Sequence, residues 1–211
     1  KNLEEELGVQ LFDRIGRSIR LTDAGSAAPS VPTTKGGSAV SAWALERVNA
    51  AEEAGLVPDV LAGRSLTGTI TRAQFAAVAV RLYEVMGGED AAAAGEGPFS
   101  DTDDPAVLTA YHLGLVKGMG DGRFAPADPV TREQAAQMLA AVYTKLGGTI
   151  PAAATTFADD GAVSGWARDA VAFMSAQKIV NGVGGGRFDP KGSATCEQAV
   201  IIALGMLQKL G

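Results

Sequence analysis

Three segments of this 211-residue chain repeat one another, and nothing else in the sequence limits the fold as much. They read Ile70-Thr71-Arg72-Ala73-Gln74-Phe75, Val130-Thr131-Arg132-Glu133-Gln134-Ala135 and Ala194-Thr195-Cys196-Glu197-Gln198-Ala199. Counted from each Thr, apolar residues fall at offsets 4, 7, 8, 11 and 15. The first set is Phe75, Val78, Ala79, Leu82 and Met86; the second is Ala135, Met138, Leu139, Val142 and Leu146; the third is Ala199, Ile202, Ala203, Met206 and Leu210. That spacing is one face of an α-helix, drawn three times. Thr followed three residues later by Gln is a capping box at each start. Gly87-Gly88, Gly147-Gly148 and Gly211 close the far ends.

A second helical pattern precedes each of these. Trp43, Val48, Ala51 and Ala54 suggest one face, Val107, Ala110, Tyr111 and Leu115 the next, and Trp166, Ala170, Phe173 and Met174 the third. Turn-rich loops join the two patterns. Gly114-Leu115-Val116-Lys117-Gly118-Met119-Gly120-Asp121-Gly122-Arg123-Phe124-Ala125-Pro126 is echoed by Lys178-Ile179-Val180-Asn181-Gly182-Val183-Gly184-Gly185-Gly186-Arg187-Phe188-Asp189-Pro190. The first copy keeps only Gly55-Leu56-Val57-Pro58. One helix-loop-helix unit cannot bury both apolar faces, so three should pack together with the second helices at a shared centre. The expected fold is mainly α, a pseudo-threefold bundle of repeats at 39–90, 98–148 and 156–211, after a linker at 26–38. Further linkers fall at 87–97 and 147–156.

Residues 1–25 follow another pattern. Leu3, Leu7 and Leu11 fit a helix end near Gly8, and Phe12-Asp13-Arg14 with Ile19-Arg20-Leu21 fit a short hairpin around Gly16.

Charge and composition narrow the function classes. A net charge of −6 argues against a general nucleic-acid surface, which needs clustered Lys and Arg. The single Cys and single His leave no disulfide framework and little for metal chemistry. No apolar run is long enough for a membrane span, no cofactor motif is present, and an enzymatic role has no positive support. The start carries neither Met nor a leader pattern, which suggests a piece of a longer chain.

Arg72 and Arg132 break a local rule, because a cation one residue after a helix cap opposes the helix dipole by roughly 0.3–1 kcal/mol. Two compensations are open. An anion can be held jointly by the free amides of the helix start, beside Thr71 and Thr131, and by the guanidinium fork; or each Arg pairs with an acid of Asp101-Thr102-Asp103-Asp104 or Asp159-Asp160. Cys196 at the third start has no fork, and reads as a buried or half-buried thiol. Trp43 and Trp166 read as packing residues or as platforms for sugar rings. Gly118, Gly120 and Gly182 either present amides to a ligand or supply tight turns. The acids near 101–104 and 159–160 read as caps and solvated turns.

The Thr-Arg-x-Gln starts at 71–74 and 131–134, the Gly-Asp-Gly-Arg-Phe-x-Pro loop at 120–126 and the Ser-x-Trp-Ala starts at Ser41 and Ser164 make residues 39–211 resemble three S-layer homology repeats. The resemblance implies non-covalent anchoring to bacterial cell-wall polysaccharide, often a pyruvylated and so anionic one, at an extracellular, cell-wall or S-layer location. It implies glycan contacts at Arg72 and Arg132, with Thr71, Thr131, Trp43, Trp166, Gly118, Gly120 and Gly182 shaping grooves between repeats. Residues 1–25 resemble the back half of a LysR-type winged helix-turn-helix, through Asn2-Leu3-Glu4-Glu5-Glu6-Leu7-Gly8-Val9 and Arg20-Leu21-Thr22-Asp23-Ala24-Gly25. The part of that motif that reads base edges is absent. Two rival readings remain, a fragmentary DNA-binding regulator and a self-assembling surface-layer module.

Overall fold

The computed structural model describes residues 12–15, 18–21, 31–87, 91, 95–155 and 157–211. It divides into two units, residues 1–32 and 33–211. Within the first, β1 (Phe12–Ile15) pairs antiparallel with β2 (Ser18–Leu21), Phe12 opposite Leu21 and Ile15 opposite Ser18. This is the expected hairpin; the helix end expected at residues 3–11 lies outside the described residues.

The second unit is the helical bundle. Its elements are α1 (Leu45–Glu53), α2 (Arg72–Gly87), α3 (Pro105–His112), α4 (Arg132–Lys145), α5 (Arg168–Ala176) and α6 (Cys196–Leu210). The three second helices α2, α4 and α6 touch pairwise at the centre. Of the fifteen apolar positions on their expected core faces, all are buried except Met86, Leu146, Ile202 and Leu210, which are half-buried. Each capping box forms. The Thr71, Thr131 and Thr195 hydroxyls accept from the Gln74, Gln134 and Gln198 amides, and each Gln side chain accepts from its Thr amide in return.

The first helices pack in an order that the repeat boundaries do not suggest. Helix α3 lies on α2, α5 on α4, and α1 on α6, so each first helix sits on the second helix of the preceding repeat. No repeat completes its own core, and the third closes onto the first. The axis of this ring is drawn in backbone hydrogen bonds. Ile70 N–H donates to the Ala194 carbonyl at 3.0 Å, Val130 N–H to Ile70 at 3.1 Å, and Ala194 N–H to Val130 at 3.0 Å.

Two expectations need correction. Residues 33–38 are part of the bundle rather than linker, because Thr34 and Ser38 are buried and both donate to Glu52 of α1. The linker positions 26–30, 88–90, 92–94 and 156 lie outside the described residues. Trp43 and Trp166 are not on the core faces of the first helices: each stands in a turn before its helix, 58% and 56% exposed, while Ala44 and Ala167 beside them are fully buried. Helical phase counted backwards through a turn assigns the wrong side.

Candidate functional site: the inter-repeat grooves

The chain folds so that a loop of one repeat, the second helix of the same repeat and the turn opening the next repeat enclose a groove. The first groove, about 370 Å³, has Lys117, Gly118 and Met119 on its loop side, Gln134, Gln137 and Met138 of α4 on its floor, and Trp166 of the third repeat at its mouth. The second, about 330 Å³, repeats the plan with Asn181, Gly182 and Val183 from the loop, Gln198 and Ile202 of α6, and Trp43 and Arg47 from the first repeat. Besides the Trp, one exposed apolar side chain, Met119 or Val183, stands in each. The third position round the ring, about 440 Å³, is lined by Val57, Pro58, Val60, Ala77, Val80, Arg81, Glu84 and Ala106. Ala106 occupies the place of the Trp there, and Arg81 is committed to Glu84 and the Gly55 carbonyl.

Arg72 and Arg132 line the first and second grooves, but Nε and Nη2 of each are taken by loop carbonyls. Arg72 is 4% exposed; its Nε donates to the Phe124 carbonyl at 2.8 Å and its Nη2 to the Lys117 carbonyl at 3.0 Å, while the guanidinium lies 4.6 Å over the Phe124 ring. Arg132 does the same with Phe188 at 2.7 Å, Asn181 at 2.8 Å and the Phe188 ring at 4.9 Å. Burial pulls both guanidinium pKa values down, and the fields of Asp128 and Asp101 for Arg72, and of Asp189 and Asp159 for Arg132, partly offset it. The compensation for placing a cation at these helix starts is therefore a set of loop carbonyls and an aromatic face.

The helix-start amides are also occupied, which corrects the anion-cradle expectation. Arg72 N–H donates to the Asp128 carbonyl and Ala73 N–H to Pro126; Arg132 and Glu133 donate to Gly192 and Pro190, and Cys196 and Glu197 to Gly68 and Leu66. With the next amide taken by the capping Thr, the start of each second helix is satisfied by protein. Thr71 and Thr131 serve as caps and pair across the seams in isolated bridges with Pro129 and Ser193. The alternative of direct Arg–acid pairing is not what forms either. Asp101 accepts from the Phe124 and Ala125 amides, and Asp159 from Phe188 and Asp189, all at 2.8 Å. These bonds hold both carboxylates below their ordinary pKa. Asp104 caps α3, as expected of an acid there.

Gly118 and Gly182 line the two grooves and are required by close approach. A Cβ at Gly118 would lie 2.9 Å from the Arg123 carbonyl oxygen, and at Gly182 2.5 Å from that of Arg187. Gly120 faces a separate small pocket beside Phe99, Tyr111 and Arg123. Cys196 is 4% exposed and burial pushes its thiol up. No group of His, Cys, Asp or Glu suited to a metal ion occurs among the described residues, and no helix there is long and apolar enough to cross a membrane.

Sequence reasoning missed Lys117, Arg47, Gln134, Gln137 and Gln198 as groove residues, and it gave no role to Glu133 and Glu197. The two glutamates carried a legible signal: they follow the Arg or Cys in the second and third copies, where the first has Ala73.

Comparison with known proteins settles the kind of bundle. A family model described as the S-layer homology domain matches residues 98–136 and 156–200. The chain carries S-layer homology repeats. The matched segments are the second and third repeats, and the first joins them through the closed ring. S-layer homology domains are cell-surface modules, and their presence implies anchoring at the cell wall or S-layer. Residues 1–26 match the lysR-family bacterial regulatory helix-turn-helix model. Among curated relatives, an amylopullulanase of Thermoanaerobacterium thermosulfurigenes is 38% identical over 151 residues, which is 68% of this chain and 8% of that protein. Exoglucanase XynX of Acetivibrio thermocellus is 34% identical over 148 residues, 67% of this chain and 13% of the relative. An endoglucanase of Bacillus sp. strain KSM-635 is 33% identical over 151 residues, 69% and 16% respectively. The chain thus spans less than a fifth of each of these relatives.

Proposed function

We propose that this S-layer homology bundle binds cell-wall polysaccharide non-covalently in its two tryptophan grooves and so tethers the polypeptide that carries it. The observation that carries the reading is the pairing of exposed Trp166 and Trp43 with grooves of one plan at two of three ring positions. Large aromatic faces left in solvent beside a concave, half-apolar surface are what a stacked sugar ring fits. Gln134 and Gln137 in one groove and Gln198 in the other supply amides that match hydroxyl groups.

Each groove also carries one exposed cation, Lys117 or Arg47, and this favours an anionic glycan such as one with pyruvylated sugars. Arg72 and Arg132 act here by shaping the loop wall, with Thr71 and Thr131 as the caps behind it. Two grooves on one body raise the effective affinity for a repeating polymer. The reading assigns the bundle no catalytic step.

The test is sedimentation with purified Gram-positive sacculi before and after the secondary polysaccharide is stripped. Pelleting with intact walls and its loss with stripped walls is the expected result. Equal pelleting with both would overturn the reading.

A further inference from the structure

We propose that Glu133 and Glu197 are positioning residues for the two tryptophan platforms, each gripping from the preceding repeat the turn that presents Trp166 or Trp43. Both glutamates are charged side chains in the interior, 3% exposed. Their partners are the same pair of groups at each seam. Glu133 Oε2 accepts from the Ser164 amide at 2.9 Å and Oε1 from the Ser164 hydroxyl at 3.0 Å. Glu197 Oε2 accepts from the Ser41 amide at 2.9 Å and Oε1 from the Ser41 hydroxyl at 2.8 Å. A carboxylate that takes both donors of one residue fixes that residue's orientation as well as its place.

What is fixed is the first residue of a tight turn. Ala167 N–H donates to the Ser164 carbonyl at 2.9 Å and Ala44 N–H to that of Ser41 at 3.0 Å, so the Trp is third in a four-residue turn at both places. The turn's fourth residue, Ala167 or Ala44, is fully buried and the Trp between is exposed. The indole stands in water with little packing of its own, and its bearing on the groove depends on the backbone beneath it. At the first seam Lys191 of the third repeat adds a bond to Glu133 and one of 2.6 Å to Ser164 Oγ.

The third seam supplies the comparison within the molecule. There the glutamate's place holds Ala73, the serine's place holds Asp104, and the Trp's place holds Ala106. Asp104 caps its own helix through the Ala106 and Val107 amides, and among the described residues no side chain of the preceding repeat grips it. Glutamate, serine and tryptophan are present together at two seams and absent together at the third. A carboxylate serving only to hold repeats together would be of equal use at all three.

The inference rests on the grooves being the glycan sites, but part of its test needs no glycan. In single-tryptophan proteins made with Trp43→Phe or Trp166→Phe, acrylamide quenching reads the freedom and exposure of the remaining indole. Glu133→Ala is expected to change the quenching of Trp166 and leave that of Trp43 as it was; Glu197→Ala should do the reverse. Glu133→Gln, which still accepts from the Ser164 amide, should restore most of the Trp166 value. With both tryptophans present, Glu133→Ala should weaken binding to intact sacculi about fivefold to tenfold, on the scale of a displaced anchor residue. In a Trp166→Ala background it should have no further effect. Unchanged quenching of Trp166, or equal changes at both tryptophans, would overturn the proposal. If sacculi are not bound by the unmodified protein, the binding reading fails while quenching still decides the clamp.

Discussion

Replacing Arg72 by Ala separates a structural staple from a ligand contact. The change removes Nε and Nη2 donors to two carbonyls, at 2.8 and 3.0 Å, and the stack on Phe124. A charge-assisted bond contributes about 1.5 kcal/mol at the low end, and a desolvated cation over a ring about 2 kcal/mol more. Against this, the protein no longer has to desolvate a guanidinium, and water from the adjoining groove can reach the freed carbonyls. The expected net cost is about 2–3 kcal/mol. For a domain of this size a kcal/mol shifts the melting temperature by about 2–4 °C, so calorimetry should record a fall of roughly 4–12 °C. Arg72→Lys should recover little of it, because one ammonium cannot copy the fork that spans both carbonyls. A fall under about 2 °C combined with complete loss of wall binding would refute the staple and make Arg72 a ligand contact.

Three further outcomes follow from particular contacts. Gly182→Ala forces a Cβ against the Arg187 carbonyl oxygen and should cost about 1–3 kcal/mol, measured by urea unfolding. The Asp101 and Asp159 carboxylates have folded pKa values below the ordinary one, so their contribution is present above about pH 4 and lost as pH falls through the lowered values; the double variant Asp101→Ala/Asp159→Ala should flatten the fall of melting temperature between about pH 4 and 2. Cys196, buried with its thiol pushed up, should react with a thiol reagent only as fast as the bundle opens, and rapid stoichiometric labelling of the native protein would contradict its placement.

Much of the architecture is written locally. The Thr-x-x-Gln boxes and the apolar offsets behind them need nothing beyond one turn of helix to be read, and both formed three times. The order of packing was not legible, because an apolar face does not say which other face covers it; only the closed ring places α1 on α6. The site was half legible for a related reason. Trp43, Trp166, Gly118 and Gly182 line the grooves that their repeat positions suggested, whereas the roles of Arg72 and Arg132 depend on carbonyls 45 to 56 residues away. A guanidinium at a helix start has the same local signature whether it meets a ligand or a loop. The glutamates show how a departure between copies can be informative, since Ala73, Asp104 and Ala106 change together at the seam without a platform.

Wall binding by this bundle comes down to two indoles. Trp43→Ala/Trp166→Ala removes both platforms from exposed positions, so the melting temperature should stay within about 2 °C of the unmodified protein. Sedimentation of this double variant with intact Gram-positive sacculi should fall to the level seen with stripped walls. Full pelleting of the folded double variant would contradict the claim that these grooves hold the wall.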